Sequence, residues 1–244
     1  MYAWSFSQQQ HLRTTETMGE LVLAAVLFVG SHFSLSSTAI RDTITARTGL
    51  WPFLGLYSVI AIASLIWMIW AYVNAPYMEL WPQTRWTRWW PSLVMPLALI
   101  LMAYGYAAPN PTMVGQQIRA AARDPAPGIL KITRHPIMWG IALWALSHIP
   151  ANGDVAALIL FGGMALLALG GAAHLDHRRR TTQPDGWQRF AAVTSYTPFV
   201  AIIAGRARFS LGDYDWTRLL IALVALGVLL FLHRWLTGVP AWPD

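Results

Sequence analysis

Long runs almost free of charge dominate this chain: Glu20 to Ile40, Leu50 to Val73, Ser92 to Ala108, Val155 to Ala173 and Thr217 to Leu236. Crossing ~30 Å of hydrocarbon takes about 20 helical residues, somewhat fewer where the helix is shielded, and each run meets that length. A backbone in hydrocarbon must satisfy its own N–H and C=O groups, which makes each run a helix. A sixth run, Pro136 to Pro150, is shorter and carries His148; a core helix or a re-entrant segment competes there with a crossing. Hydrophobic residues make up 56% of the sequence and charged ones only 11%, less than half the share of about a quarter that keeps a soluble domain dispersed. The fold expected is therefore all-α, a polytopic transmembrane helical bundle of about six spans with the lipid bilayer as its main partner.

Charge sidedness supports six crossings. One side then receives the loops near 41–49, 109–135 and 174–216, with Arg41, Arg47, Arg119, Arg123, Lys131, Arg134, Arg178, Arg179, Arg180, Arg189, Arg206 and Arg208. The other receives Arg13, Arg85, Arg88 and Arg234. By the positive-inside bias the first side is cytoplasmic and both termini lie outside, periplasmic in a bacterial inner membrane. The same bias accounts for the net charge of +6 without nucleic acid.

Residues 1–18 form an N-terminal extension expected to be disordered, with Met18 a candidate start; they lack the basic start, apolar core and small-residue cleavage site of a signal peptide. Residues 19–244 form the transmembrane domain. Asn74 to Pro91, with Trp81, Trp86, Trp89 and Trp90, reads as an interfacial belt. Pro109, Pro111, Pro125 and Pro127 interrupt the region from Ala108 to Thr133, leaving Met113 to Ala122 as a short interfacial helix. There is no cysteine, which excludes disulfides and thiolate chemistry. Nor is there a phosphate loop, nucleophile elbow or carboxylate pair to support hydrolysis.

Ionisable groups inside a bilayer need a partner, so His32 and His148 are the first candidates for chemistry. Counted from Arg41 and Pro136, they lie about 13 Å and 18 Å deep at the helical rise. Two imidazoles at similar depth on different helices could share one haem iron, and Gly30, Ser31 and Ser34 leave room for a flat ligand. A hydrogen bond to a neighbouring hydroxyl or carbonyl would serve each histidine equally. A second cluster, Arg134-His135-Pro136, sits at a helix start suited to an anion, or snorkels and caps there. A third, His174 with Asp176 and His177, precedes Arg178 to Arg180; its spacing is compatible with a metal but lacks a third ligand nearby, and a basic run that ends a span explains it as well.

Five pieces together resemble the NnrU family of bacterial membrane proteins: Gly30-Ser31-His32, Ile132-Thr133-Arg134-His135-Pro136, Trp144-Ala145-Leu146-Ser147-His148, Thr194-Ser195-Tyr196-Thr197-Pro198-Phe199 and Gly205-Arg206. That family in turn resembles the plant 15-cis-zeta-carotene isomerases, integral membrane enzymes dependent on haem b. The resemblance implies His32 and His148 as axial ligands to haem iron, redox or isomerase-type chemistry on a small or lipophilic substrate, and a link to nitrogen-oxide metabolism. Arg134, His135 and His174 would then hold propionates or an anionic substrate. The isomerases carry a cysteine where Ala145 stands, so thiolate ligation is not expected here. Two alternatives remain open. One is a non-enzymatic factor that assists assembly of a respiratory enzyme of denitrification. The other is a membrane methyltransferase using S-adenosylmethionine, to which Arg134, His135, Pro136 and Gly140 bear a more distant resemblance.

Overall fold

The computed structural model describes residues 3–107, 110, 126–208, 210, 212 and 215–242. Helices α1 (Ala3–Ser36), α2 (Thr38–Thr48), α3 (Leu50–Asn74) and α4 (Arg85–Ala107) precede a 3₁₀ turn at Gly128–Lys131. Then follow α5 (Pro136–Asn152), α6 (Val155–Thr182), α7 (Pro184–Ala192), α8 (Val200–Ile203) and α9 (Trp216–Thr237). Among the described residues there is no strand, only one isolated antiparallel bridge between Glu79 and Asp154. The expected interfacial helix at Met113 to Ala122 lies outside the described residues.

Among the described residues five helices are long and apolar enough to cross a membrane: Thr17–Ser36 of α1, α3, Arg85–Tyr106 of α4, α6 and α9. The chain is a helical bundle of the multi-pass membrane type. α5 has 17 residues, or ~25 Å of helix, yet it runs antiparallel to α4 across the same thickness. Gly105 of α4 lies against Ile137 at one end of α5, and Gly140 against Met102 and Ala98. At the other end the Trp81 indole donates to Pro150 O and the Gln83 amide to Asn152 O. A Cβ on Gly140 would fall 2.7 Å from Ala98 O, so the two backbones approach where only glycine fits.

The ends of the helices have local causes. The first crossing helix stops at Ser36, because the hydroxyls of Ser36 and Ser37 bond the carbonyls of Phe33 and Ser34 and compete with the helix ladder. α4 begins within the tryptophan-rich belt: Thr84 and Thr87 exchange backbone and hydroxyl hydrogen bonds in a capping box, so Trp86, Trp89 and Trp90 belong to its first turns. Asp154 caps α6 by accepting from Ala157 N at 2.9 Å. Pro136 occupies the first turn of α5, where its missing N–H costs nothing.

α1 and α3 are antiparallel, with Trp67 Nε1 donating to Glu20 at one end and Arg41 lying over the Phe53 ring near the other. α1 and α6 run parallel: Val29 meets Gly163, Phe33 meets Gly170, and the Ser36 carbonyl meets His174 and Arg178. Leu21, Ala24, Ala25, Phe28, Met68, Ala145, Ala157, Leu160, Phe161 and Ala165 form the core between these helices and α5. Alanine faces predominate there, which lets backbones pack closely without a solvent-driven hydrophobic effect. α9 buries only Ala222 and turns Leu220, Ile221, Val224 and Phe231 outward, as a lipid-facing helix does.

Candidate functional site

A cavity of about 520 Å³ opens at the basic end of the bundle, between α1, α2, α3, α5 and α6. Its wall is largely apolar, with Phe28, Phe33, Phe53, Leu54, Ile141 and Leu167 among its residues. His32 and His174 are its imidazoles, Tyr57 its phenol, and Arg41, Asp42, Arg178 and Arg179 stand at its rim. A volume of this order suits a ligand of some tens of atoms.

Of the residues singled out by the sequence, His32 and His174 therefore share one cavity, and His148 is not on its wall. His32 Nδ1 lies 2.6 Å from Phe28 O and His148 Nδ1 lies 2.7 Å from Trp144 O. A carbonyl can only accept, so each Nδ1 carries the proton and each Nε2 presents its lone pair. That is the tautomer a metal-bound histidine takes, with the second nitrogen tied to a backbone carbonyl. The donor state of both imidazoles fits haem iron. Their positions fit less directly: Phe33, next to His32, reaches Gly170 of α6, whereas His148 abuts Phe161, nine residues earlier and ~13 Å along the axis. Both rings lean back along their own helices, toward each other's level. His32 touches the Phe28 ring and His148 the Phe161 ring of the same packed core.

Arg134 and His135 are not on the cavity wall. They belong to a buried lock behind it, closed by Asp176 of α6. His135 Nε2 donates to Asp176 Oδ1 at 2.5 Å, and Arg134 Nη1 to Asp176 Oδ2 at 3.2 Å. Arg134 Nη2 also donates to Thr194 O, and its guanidinium lies 5.3 Å from the centre of the Trp187 ring. Burial pulls the Arg134 guanidinium below its usual range, and Asp176 offsets part of that shift. Thr133 Oγ1 and Trp139 Nε1 both donate to Tyr196 O, and the Tyr196 hydroxyl donates to Leu169 O. Burial, then Asp176, raises the Tyr196 phenol above its usual pKa.

The backbone completes this lock. Arg134 N donates to Ser195 O and Phe199 N to Ile132 O, so two motifs far apart in sequence run side by side. Arg206 Nη1 reaches the carbonyls of Ala191, Ala192 and Thr194, closing the end of α7. Phe199 adopts φ 67, a left-handed conformation costly for a bulky side chain, and it is held there by these bonds on either side. The residues of this cluster serve one another, and the cations that face the cavity are Arg41, Arg178 and Arg179.

Sequence reasoning did not single out Arg41, Tyr57 and Arg178 as site residues, because each is unremarkable in its own segment. The signal lies in α6. This helix continues through the charged run to Thr182, which places His174 and Arg178, four residues apart, on one face toward Ser36 O. Among the described residues no group of three or more His, Asp or Glu could hold a metal ion, so the His174–His177 spacing does not build a metal site by itself.

The family model described as NnrU protein matches residues 20–241. The 15-cis-zeta-carotene isomerase, chloroplastic, of Zea mays is 36% identical over 81 residues, 33% of this chain and 22% of that protein. Its counterpart in Arabidopsis thaliana is 35% identical over 79 residues, 32% of this chain and 22% of that protein. The matched stretch spans about a fifth of the length of these curated relatives, 22% in each case. No solved structure matches the chain.

Proposed function

This chain belongs to the NnrU family, and we propose that it binds haem b within the bundle, with His32 and His148 as iron ligands, for redox or isomerase-type chemistry on a small or lipophilic substrate. The observation that carries the reading is the matched state of the two imidazoles, each with Nδ1–H on a carbonyl one turn back and Nε2 left as the donor. The relatives are named as isomerases of a carotene, which favours a lipophilic substrate here. A link to nitrogen-oxide metabolism and a bacterial inner-membrane location, with periplasmic termini, complete the proposal.

Bound haem would supply a redox-active iron and a planar apolar surface. The chain's own part is positional. The bond from His32 Nδ1 to Phe28 O fixes the ring and raises the basicity of Nε2, while the edge contacts to Phe28 and Tyr57 hold its plane. The ring faces a largely apolar wall. The arginines of the rim offer N–H donors to acid groups at the open end.

The test is a visible spectrum of the protein purified in detergent from haem-replete cells. A Soret band that disappears in His32→Ala and shifts or disappears in His148→Ala supports the reading. A colourless, well-folded wild-type protein that takes up no added haem overturns it.

A further inference from the structure

We infer that the cavity takes a lipophilic acid, its apolar body against Phe28, Phe33, Leu54 and Leu167 and its carboxylate or phosphate on Arg41 and Arg178 at the rim. The wall alone would suit any hydrocarbon. The rim would not. Among the described residues neither Arg41 nor Arg178 forms an ion pair, and Asp42 is the one carboxylate beside them on this wall. Two guanidiniums facing one partly enclosed space repel each other more strongly than in water, and an anion placed there offsets that cost.

Their placement leaves donors for such an anion. The Ser36 carbonyl, at the end of α1 where the helix ladder runs out, accepts from Arg178 Nη1 at 3.3 Å and from His174 Nε2 at 3.2 Å. That single bond orients the Arg178 guanidinium and leaves its other N–H groups available. The Arg41 guanidinium lies over the Phe53 ring, 5.5 Å from its centre, a contact that uses the π-face of the ring and none of the N–H groups as hydrogen-bond donors. Arg134 offers the contrast: its guanidinium is committed to Asp176 and Thr194 O. Among the described residues one arginine cluster is thus filled by the chain and another faces a cavity. A neutral hydrocarbon would fill the wall and leave the rim unmet.

The inference does not rest on haem, since haem is one lipophilic acid and a fatty or isoprenoid acid is another. The test compares probes with and without the acid group, by equilibrium dialysis of radiolabelled oleate against oleyl alcohol, and by spectral titration with haem against its dimethyl ester. Wild-type protein is expected to prefer an acid over its neutral partner by at least about tenfold, the share of one charge-assisted bond. Arg41→Gln and Arg178→Gln are expected to shrink the preference to about threefold or less with oleyl alcohol binding unchanged, which reports an intact fold. Dependence on the acid groups of haem assigns the macrocycle as occupant, and dependence with oleate alone assigns an acyl acid. Haem failing to bind while the oleate preference stands would overturn the haem reading and support this one. Equal binding within both probe pairs would overturn the inference, as would Arg85→Gln, at the opposite end of the bundle, lowering the preference as much as Arg178→Gln.

Discussion

Replacing Asp176 by alanine removes the common acceptor of Arg134 and His135. The Arg134 and Asp176 side chains are 10% and 13% exposed and that of His135 is fully buried, so water cannot stand in for the lost carboxylate. Breaking a buried pair from one side costs about 3–5 kcal/mol, because a cation stays behind without its counter-charge. For a chain of this length, each kcal/mol moves the unfolding midpoint by about 2–4 °C. The expected loss is therefore about 6–20 °C, measured by thermal unfolding in one fixed detergent. Asp176→Asn keeps an oxygen acceptor and loses the charge, so about 1–3 kcal/mol is expected. If the ion pair is the cause, Arg134→Met combined with Asp176→Ala recovers part of the loss, since no unpaired cation remains. A drop below about 3 °C for Asp176→Ala, or strict additivity in the double variant, would refute the assignment of this cluster as the lock of the bundle.

Gly140→Ala is expected to destabilise by about 1–3 kcal/mol in the same assay, because the added methyl meets Ala98 O at 2.7 Å and backbone cannot step aside. Tyr196 carries an alkaline signature: its folded pKa is raised above the usual 10.0, so above about pH 10 the unfolded chain loses that proton first and stability falls with rising pH. Tyr196→Phe should flatten part of that decline, and an unchanged profile would remove Tyr196 as a cause. The sequence contains no cysteine, so single cysteines at positions 47 and 185 should react with a membrane-impermeant maleimide from one side of the membrane, and those at 79 and 152 from the other. A shared side for both pairs would contradict the six-crossing arrangement.

The helices were legible because the information is local: an uncharged run long enough to cross lipid has few other structures open to it. The basic end was legible for the same reason, as loop charges are read one loop at a time. The start of α4 was not, because its cap is made by Thr84 and Thr87 within a stretch dominated by tryptophan. The end of α6 was hidden differently. A run such as His177-Arg178-Arg179-Arg180 reads as the end of a span, yet the helix continues to Thr182 and turns its face into a cavity rim. The pairing of Arg134 with Asp176 joins residues 42 positions apart, and no local pattern announces it. His148 shows the limit of depth counting. Residues from an end gives a level within the bilayer, whereas α6 sets the two histidines nine residues apart against a common ruler.

α5 is shielded by α4 on one side and α6 on another, and it is held at both ends by bonds from neighbouring segments. Its composition is consequently governed less by partition into oil than by the space its neighbours leave. Over generations such a helix can accept a hydroxyl or an amide, as Ser147 and Asn152 attest, sooner than it can accept an extra methyl group at Gly140. Sequence drift along it should therefore be wide in polarity and narrow in volume, the reverse of what α9 is free to do.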